Sequence, residues 1–165
     1  MLSPPEPLTD EHRVEAFDSS QSLLDDWLRR RALANQSSGA SRTYVVCEGK
    51  RVAAYYALAS GAIAQAGVSG KFRRNMPEPI PVVVLARLAV DRAFQGCGLG
   101  RGMFRDAARR VLQAADSIGI RGIIVHAVSD EARSFYLALG FDPSPADAMT
   151  LLVTLRDLSR ALNAD

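Results

Sequence analysis

The sequence predicts an α/β (α+β) fold in which a mixed, mostly antiparallel sheet is flanked by helices. In the first half, residues 42–47 and 51–63 are rich in strand-forming side chains, and the turn signal Glu48-Gly49-Lys50 joins them into a hairpin. From residue 82 onward, a buried strand, a glycine-rich loop, a helix, a strand, a helix and a last strand follow one another. Strands that alternate with helices in this way build a sheet with helices packed on it.

The length and composition suit one domain with one core. The chain has 165 residues, of which 48% are apolar, so we expect a single domain over residues 1–165. No apolar run approaches the ~20 residues of a membrane helix, and residues 1–10 lack the basic start and apolar middle of a secretory signal. Cys47 and Cys97 form neither a disulfide framework nor a metal-ligand spacing. We therefore expect a cytoplasmic protein without membrane association and without a metal.

The remaining elements follow from periodicity and from capping signals. Ser19 or Ser20 can cap the first helix, and Ser129 can cap a helix that begins with the acids Asp130 and Glu131. Residues 82–90 are almost continuously apolar, as expected for a central strand buried on both faces. In chain order, the other predicted segments are a short strand within 2–18, helix 20–35, a polar break at 36–41, loop 64–81, helix 98–117, strand 122–128, a helix that ends at Gly140, strand 149–155 and helix 156–162.

Basic residues form local clusters although the net charge is only +2. The 20 basic residues comprise Lys50, Lys71 and 18 arginines. A genome rich in G+C and a phosphate-binding surface explain this equally well, because guanidinium groups bind phosphate in a bidentate manner. The clusters are Arg29-Arg30-Arg31, Lys71 with Arg73 and Arg74, and the row Arg101, Arg105 and Arg109 along one helix face.

Gly98 and Gly100 lie in the loop between strand 82–90 and the following helix. Without side chains, they leave backbone N–H groups unobstructed at a helix start, where the helix dipole also favours an anion. The expected ligand is a phosphate or pyrophosphate, although a tight strand-to-helix turn would also use glycines. The loop is not a Walker loop, because no Gly-Lys-Ser/Thr follows, and the next strand does not end in the acid of a dinucleotide fold.

Two motifs around this loop resemble those of the GNAT acetyltransferases. Gln95-x-x-Gly98-x-Gly100 is similar to the family's Arg/Gln-x-x-Gly-x-Gly/Ala pattern. Ala132-x-x-Phe135-Tyr136-x-x-x-Gly140-Phe141 is similar to its second motif. This resemblance covers residues 82–141 and implies the GNAT fold, with a sheet splayed at its centre and acetyl-CoA as the cofactor.

The resemblance also implies roles for individual residues. The backbone of Leu88, Ala89 and Val90 would pair with the pantetheine arm. Tyr136 would be the general acid beside the departing thiolate, since a phenol stays protonated at neutral pH. The alternative for Tyr136 is a core tyrosine with a satisfied hydroxyl. The pyrophosphate would bind the amides of Gln95, Gly96, Cys97, Gly98, Leu99 and Gly100.

Nearly the whole chain resembles a narrower group, the GNAT toxins of bacterial type II toxin–antitoxin systems. That resemblance implies acetylation of the amino group of aminoacyl-tRNA, which stops translation, together with a ribbon-helix-helix antitoxin and a homodimer. Ser19-Ser20 departs from the group, where many members have Cys-Gly, and Ser129 departs from the Asn of broader GNAT enzymes. The segments that carry the resemblance are Phe17-Asp18, Leu24-Asp25-Asp26-Trp27-Leu28, Ala40-Ser41-Arg42-Thr43-Tyr44-Val45, Tyr55-Tyr56-Ala57-Leu58 and Leu88-Ala89-Val90-Asp91.

Several side chains keep two interpretations. Lys71, Arg73 and Arg74 are candidates for binding tRNA phosphates, and a solvated surface is the alternative. Arg87 is a charge within an apolar strand, so it contacts substrate or forms a structural salt bridge. His126 is expected to be structural. A catalytic thiol at Cys97 is not expected, because direct transfer needs no acyl-enzyme.

No strong base stands out in the sequence. An α-amino group is partly neutral near pH 7, whereas a lysine amine is almost fully charged, so this absence favours an α-amine as the acceptor. The alternative function is a GNAT enzyme that acts on a small-molecule amine or a protein N-terminus. A third is a non-enzymatic co-repressor that binds a partner and DNA.

Overall fold

A computed structural model describes the protein over residues 1–164 and confirms the predicted α/β fold, with seven strands and six α-helices in that range. None of these helices is long and apolar enough to cross a membrane. The strands are β1 (Glu6–Pro7), β2 (Arg42–Glu48), β3 (Arg51–Ile63), β4 (Ile80–Val90), β5 (Gly122–His126), β6 (Asp142–Pro143) and β7 (Thr150–Thr154). The helices are α1 (Ser22–Arg30), α2 (Ala32–Ser38), α3 (Gly70–Arg73), α4 (Leu99–Ala114), α5 (Asp130–Ala138) and α6 (Leu155–Asn163).

The strands form one sheet in the order β1-β2-β3-β4-β5-β7-β6. The predicted β2–β3 hairpin is present, and β5 and β6 each pair antiparallel with β7. β4 and β5 are parallel, and within residues 1–164 their pairing has two rungs, Val83–Ile123 and Val84–Ile124. Beyond these rungs β5 continues to His126 with β7 as its partner. The sheet is therefore mixed and mostly antiparallel, and the pairing of β4 with β5 stops early, as a splayed sheet requires.

The chain divides into two compact units, and the first contains Met1–Ala59 and Ala86–Ala107. In this unit α1 packs on β3. The Tyr55 hydroxyl donates to the Leu24 carbonyl at 2.6 Å, and the Trp27 ring stacks on the Tyr55 ring with centroids 6.0 Å apart. The buried cluster of this unit comprises Leu8, Phe17, Leu24, Leu28, Ala32, Val45, Cys47, Val52, Tyr55 and Ala89.

The second unit contains Ser60–Leu85 and the chain from Ala108 onward. Its helix α3 is held by Arg121, whose guanidinium donates to the carbonyls of Lys71 and Phe72 at 2.7 and 2.8 Å. The division into two units does not test whether residues 1–165 form a single domain, so the single domain stays a prediction. The buried cluster of this unit comprises Val68, Phe72, Ile80, Val82, Ile124 and Leu152.

The first predicted helix is divided in two, and its predicted cap is wrong. Instead of one helix over residues 20–35, α1 and α2 are separated at Arg31. Gln21 precedes α1 and makes no side-chain cap. The Ser19 hydroxyl instead donates to the buried Asp25 carboxylate at 2.6 Å, and the Ser19 amide donates to the same group. Asp25 thus engages Ser19 away from the helix start, and Ser20 adopts a φ of 77°.

Other boundaries differ by a few residues. The apolar run of β4 predicted a strand buried on both faces, but most of its side chains are only half-buried. Predicted loop 64–81 contains α3, and the two-residue strand β6 was not predicted. The cap of α5 is confirmed, since Ser129 accepts the Ala132 amide at 3.1 Å, and Gly140 ends that helix with a φ of 103°.

Candidate active site

The loop after β4 begins at a buried carboxylate. Asp91 is 2% exposed, and it accepts hydrogen bonds from the amides of Ala93 at 2.9 Å and Asp18 at 3.0 Å. Arg51 donates to the same carboxylate at 3.3 Å. The Asp18 carbonyl in turn accepts the Arg92 amide at 2.8 Å. Asp91 therefore fastens the start of the glycine-rich loop to β3 and to the chain before α1, through charge-assisted bonds that satisfy its buried charge.

The backbone of this loop presents unpaired amides at the start of α4. Gly96 and Gly98 have φ values of 82° and 84°, in the left-handed region that glycine adopts readily. Within residues 1–164, the amides of residues 96–101 donate to no acceptor, and the Gly102 amide makes the first helical bond, to the Gly98 carbonyl at 3.1 Å. Such amides, together with the positive end of the helix dipole, form an anion site. This geometry suits a pyrophosphate.

Two side chains of the loop donate hydrogen bonds to backbone carbonyls of the protein and so fix the shape of the loop. Gln95 Nε2 donates to the carbonyls of Val90 at 2.9 Å and Ser19 at 3.3 Å. The exposed Cys97 thiol donates to the Phe94 carbonyl at 3.0 Å. Because the Gln95 side chain is engaged within the protein, its part in cofactor binding falls to its backbone.

The three residues predicted to pair with pantetheine form the end of β4. Ala89 is 5% exposed and belongs to the core of the first unit, whereas Leu88 and Val90 are half-buried. In the described part of the chain, neither rung of the β4–β5 pairing includes these residues. Their backbone groups are therefore not used by β5, as an extended ligand arm would require.

Tyr136 lies on α5 with a buried ring and an unpaired hydroxyl. The residue is 5% exposed, and its ring packs edge-on against Phe135 and Phe141, with centroids 5.1 and 5.4 Å apart. The phenol oxygen makes no hydrogen bond within residues 1–164, and it is not one of the fully enclosed unpaired oxygens. Burial raises the pKa of the Tyr136 phenol. The geometry suits a proton donor better than a core tyrosine with a satisfied hydroxyl.

Arg87 stacks on an aromatic ring instead of pairing with an acid. Its guanidinium lies 5.2 Å from the centroid of the Trp27 ring and donates to the Ala86 carbonyl at 2.7 Å. The structural salt bridge considered for Arg87 is not formed by any acid within residues 1–164. A cation–π stack leaves N–H donors at the edge of the guanidinium for another partner.

The three cations near α3 have different surroundings. The Lys71 ammonium pairs with Asp157 of α6, and the hydrogen bond from Lys71 holds the pKa of the Asp157 carboxyl below its ordinary value. Arg73 donates to the Val68 carbonyl at 2.9 Å. Arg74 is exposed and makes no side-chain hydrogen bond or ion pair in the part of the chain that the structure describes. Of the three, Arg74 has the guanidinium most available to a phosphate.

A cluster with the side chains of a metal site lies at the β1–β2 edge. The ligand atoms of Glu6, His12 and Cys47 lie within 4.8 Å of one another. His12 Nδ1 accepts the Thr9 amide at 3.0 Å, so Nε2 carries the ring proton and donates to Glu6 Oε1 at 2.8 Å. Burial raises the pKa of the Cys47 thiol to about 11. His12 Nε2 is engaged by Glu6 and the Cys47 thiol keeps its proton at neutral pH, so the arrangement is not a preformed metal site.

His126 was expected to be structural, and the structure gives it a hydrogen-bond partner on the neighbouring strand. Its side chain is exposed at the end of β5, and its Nδ1 lies 2.9 Å from Thr150 Oγ1 on β7. The two residues face each other across the strand pair although 24 positions separate them in the chain. No local pattern could reveal this contact, because it depends on the register of β5 with β7.

Comparison with known proteins places the chain in a family. Residues 39–143 match the acetyltransferase (GNAT) domain, which is more than half of the chain. The chain belongs to the GNAT acetyltransferase family, and acetyl-CoA is its acetyl donor. A tRNA-acetylating toxin of Mycobacterium tuberculosis (strain ATCC 25618 / H37Rv) is 52% identical over 163 residues, which cover 99% of this chain and 98% of the relative.

Solved structures of toxins share this fold. AtaT complexed with acetyl-methionyl-tRNAfMet is 28% identical, with a TM-score of 0.88 over 97% of this chain and 98% of that chain. A mutant AtaT toxin bound to the C-terminus of the antitoxin AtaR and acetyl-CoA is 27% identical, with a TM-score of 0.82 over 96% of each chain. The similarity therefore extends over nearly the whole of each protein.

Proposed function

We propose that this protein is a toxin that transfers acetyl from acetyl-CoA to the α-amino group of aminoacyl-tRNA and so blocks translation. The observation that carries the proposal is 52% identity, sustained over 99% of the chain, with a tRNA-acetylating toxin. The structural likeness to AtaT in complex with acetyl-methionyl-tRNAfMet supports the same class of acceptor. An enzyme for a small free amine would not account for either likeness.

The residues of this chain divide the work of the reaction. The amides of residues 95–100 bind the pyrophosphate, and the backbone of Leu88, Ala89 and Val90 aligns the pantetheine arm. Acetyl-CoA supplies the thioester. Tyr136 holds the proton that the leaving sulfur requires, and its raised pKa keeps the phenol protonated at neutral pH.

Individual basic side chains bind the tRNA in this proposal. Arg74 is the principal phosphate contact, because it is exposed and uncommitted among the described residues, and Arg73 supports it. Lys71 contributes charge while it remains paired with Asp157. Arg87, held by its stack on Trp27, offers its remaining donors to the acceptor end of the tRNA.

The partners follow from the same proposal. A ribbon-helix-helix antitoxin neutralises the toxin, and the toxin forms a homodimer in the cytoplasm, where aminoacyl-tRNA is used. The mutant AtaT bound to the C-terminus of its antitoxin supports the first of these partners. Co-purification with the product of an adjacent small gene, and the mass of the complex in solution, test both.

The proposed reaction is tested with radiolabelled acetyl-CoA and total charged tRNA. We expect label in the aminoacyl-tRNA, with none in deacylated tRNA, which has the same phosphates but lacks the α-amine. Free amino acids, polyamines and a peptide with a free N-terminus serve as competing acceptors. Labelling of any of these at the rate of aminoacyl-tRNA would contradict the proposal and favour the small-amine or protein N-terminus reading.

A further inference from the structure

A chain of hydrogen bonds connects an exposed histidine to a carboxylate in the second unit. His126 Nδ1 lies 2.9 Å from Thr150 Oγ1, and Thr150 Oγ1 donates to Asp147 Oδ2 at 2.9 Å. Asp147 Oδ1 also accepts the Met149 amide at 3.0 Å. These bonds, that of the Met149 amide first, hold the pKa of the Asp147 carboxyl below its ordinary value. Asp147 is therefore ionised at neutral pH and acts only as an acceptor.

This arrangement determines which nitrogen of His126 carries the proton. The Thr150 hydroxyl has one proton, and the carboxylate is a stronger acceptor for it than a neutral imidazole nitrogen. Thr150 Oγ1 therefore accepts from His126, and Nδ1 is the protonated nitrogen of the neutral ring. His126 Nε2 is left with a lone pair, and it makes no hydrogen bond within residues 1–164.

The position of His126 in the fold adds a functional argument. His126 is the last residue of β5, two residues beyond the Val84–Ile124 rung where the pairing with β4 ends. Ligands of open α/β sheets bind outside the carboxyl ends of parallel strands. The same carboxyl end leads into α5, which carries the proposed proton donor Tyr136. One continuous segment, residues 122–138, thus supplies a proton acceptor and a proton donor.

We propose that His126 Nε2 accepts a proton from the α-ammonium group of the aminoacyl-tRNA, with Thr150 and Asp147 as positioning residues; this inference rests on the proposed function. The ammonium group gives one proton to Nε2, which releases it to solvent. The neutral amine attacks the thioester carbonyl carbon, so that a C–N bond forms and the C–S bond breaks. The sulfur takes the Tyr136 proton, and the second proton lost by the nitrogen restores the phenol.

The test compares His126→Gln with the parent at two pH values on an aminoacyl-tRNA whose amino acid is amide-linked, so that alkaline hydrolysis is avoided. At pH 7.0 only about one α-amine in six to ten is neutral, whereas at pH 9.0 about nine in ten are. We therefore expect His126→Gln to lose about fivefold or more in kcat at pH 7.0 and less than about twofold at pH 9.0. The affinity for acetyl-CoA and the Tm should remain those of the parent.

Two further variants separate proton transfer from structure. Thr150→Val removes the acceptor of the Nδ1 proton and keeps the side-chain shape, so we expect part of the same loss, again restricted to pH 7.0. His12→Gln changes the other histidine of the chain and should lose nothing at either pH. Added imidazole should restore activity to His126→Gln at pH 7.0.

The outcomes distinguish this inference from the function on which it rests. A parent that fails to acetylate aminoacyl-tRNA overturns both. If the parent is active and His126→Gln retains parental kcat at pH 7.0, or loses the same factor at both pH values, His126 is not the proton acceptor while the proposed function stands.

Discussion

The Tyr136 phenol stays protonated because it is buried. Removal from water disfavours the phenolate, so the pKa rises and the acid form persists well above neutral pH. Its oxygen has no acceptor within residues 1–164, so under the proposed function a leaving sulfur would not compete with a protein group for the proton. The motif around Phe135 and Tyr136 predicts a proton-donor role for Tyr136, which stays a prediction. That the hydroxyl has no partner within residues 1–164 was not predictable, because it depends on which side chains the fold brings near it.

Replacing Tyr136 with Phe removes the proton donor and keeps the packing. We predict a loss of about 10²-fold in kcat, with unchanged Tm and unchanged acetyl-CoA affinity. Because the pKa of the phenol is raised, the parent should show no loss of the acid form as the pH rises to about 9.5. Steady-state kinetics over pH 6–9.5 check both points. Full activity of Tyr136→Phe would mean that Tyr136 is a structural core residue and not the proton donor.

The glycine-rich loop depends on left-handed backbone at Gly98. A Cβ at this position would meet no neighbour within 4 Å, so the constraint is the φ of 84° rather than space. Valine costs roughly 1–2 kcal/mol or more in that region, and the loop would relax and turn its amides away from the anion. We predict that Gly98→Val weakens acetyl-CoA binding by about tenfold in calorimetry.

Gly49 provides the matched control for that prediction. It has a φ of 62° in the β2–β3 turn and also has no neighbour within 4 Å of a Cβ. Gly49→Val carries the same kind of backbone strain at a distance from the amide loop along the chain. It should lower the Tm and leave acetyl-CoA affinity unchanged. Equal loss of affinity in both variants would mean that the loop amides have no specific part in binding.

At the scale of elements, β5 and β7 approach each other too closely for a side chain at the start of β5. A Cβ on Gly122 would lie 2.0 Å from the Val153 carbonyl oxygen and 3.0 Å from the Phe72 ring. The oxygen belongs to the backbone of the neighbouring strand and cannot move away alone. The glycine therefore allows β5 to lie close to β7 and to the Phe72 ring of α3.

We predict that Gly122→Ala destabilises the protein by about 1–3 kcal/mol or more, the usual cost of overpacking. Gly119→Ala is the control, because a Cβ at Gly119 meets nothing within 4 Å and its φ is not left-handed. Thermal denaturation of the two variants checks the difference. A Gly122→Ala protein as stable as Gly119→Ala would contradict the close contact.

Elements with local signals were predictable, and elements that depend on distant contacts were not. The β2–β3 hairpin and the Ser129 cap follow from turn and capping residues that are adjacent in sequence. The missing cap of the first helix reflects the bond of Ser19 to Asp25 inside that helix, which periodicity does not encode. Likewise, the turn after β4 follows from its glycines, whereas the bond of Gln95 to the Ser19 carbonyl spans 76 positions.

At the scale of the whole molecule, the net charge of +2 does not show which cations are paired within the protein and which are available to a ligand. Lys71 pairs with Asp157, and Arg29 pairs with Asp26 and donates to the Phe17 carbonyl. Arg74 makes no such contact among the described residues. Composition indicated a basic surface, but only the structure separates cations that hold the fold from cations available to phosphate.

We predict that transfer to aminoacyl-tRNA falls steeply with salt while acetyl-CoA binding falls less. If about three phosphates are neutralised, the logarithm of kcat/KM should fall with the logarithm of salt concentration at a slope of about −2. Arg74→Ala should reduce that slope and keep slow hydrolysis of acetyl-CoA. Arg13→Ala, an exposed arginine of the N-terminal segment, is the control. A flat salt dependence would remove the tRNA-binding role from Arg74.

The central claim is acetyl transfer to the α-amine of aminoacyl-tRNA with Tyr136 as the proton donor. The most direct measurement is mass spectrometry of the aminoacyl-adenosine released by ribonuclease after reaction of charged tRNA with acetyl-CoA and the protein. We predict that the parent adds one acetyl group to the α-nitrogen and that Tyr136→Phe yields about a hundredth of this product in the same time. Acetyl on a side chain or on the nucleotide, or equal product from both proteins, would contradict the claim.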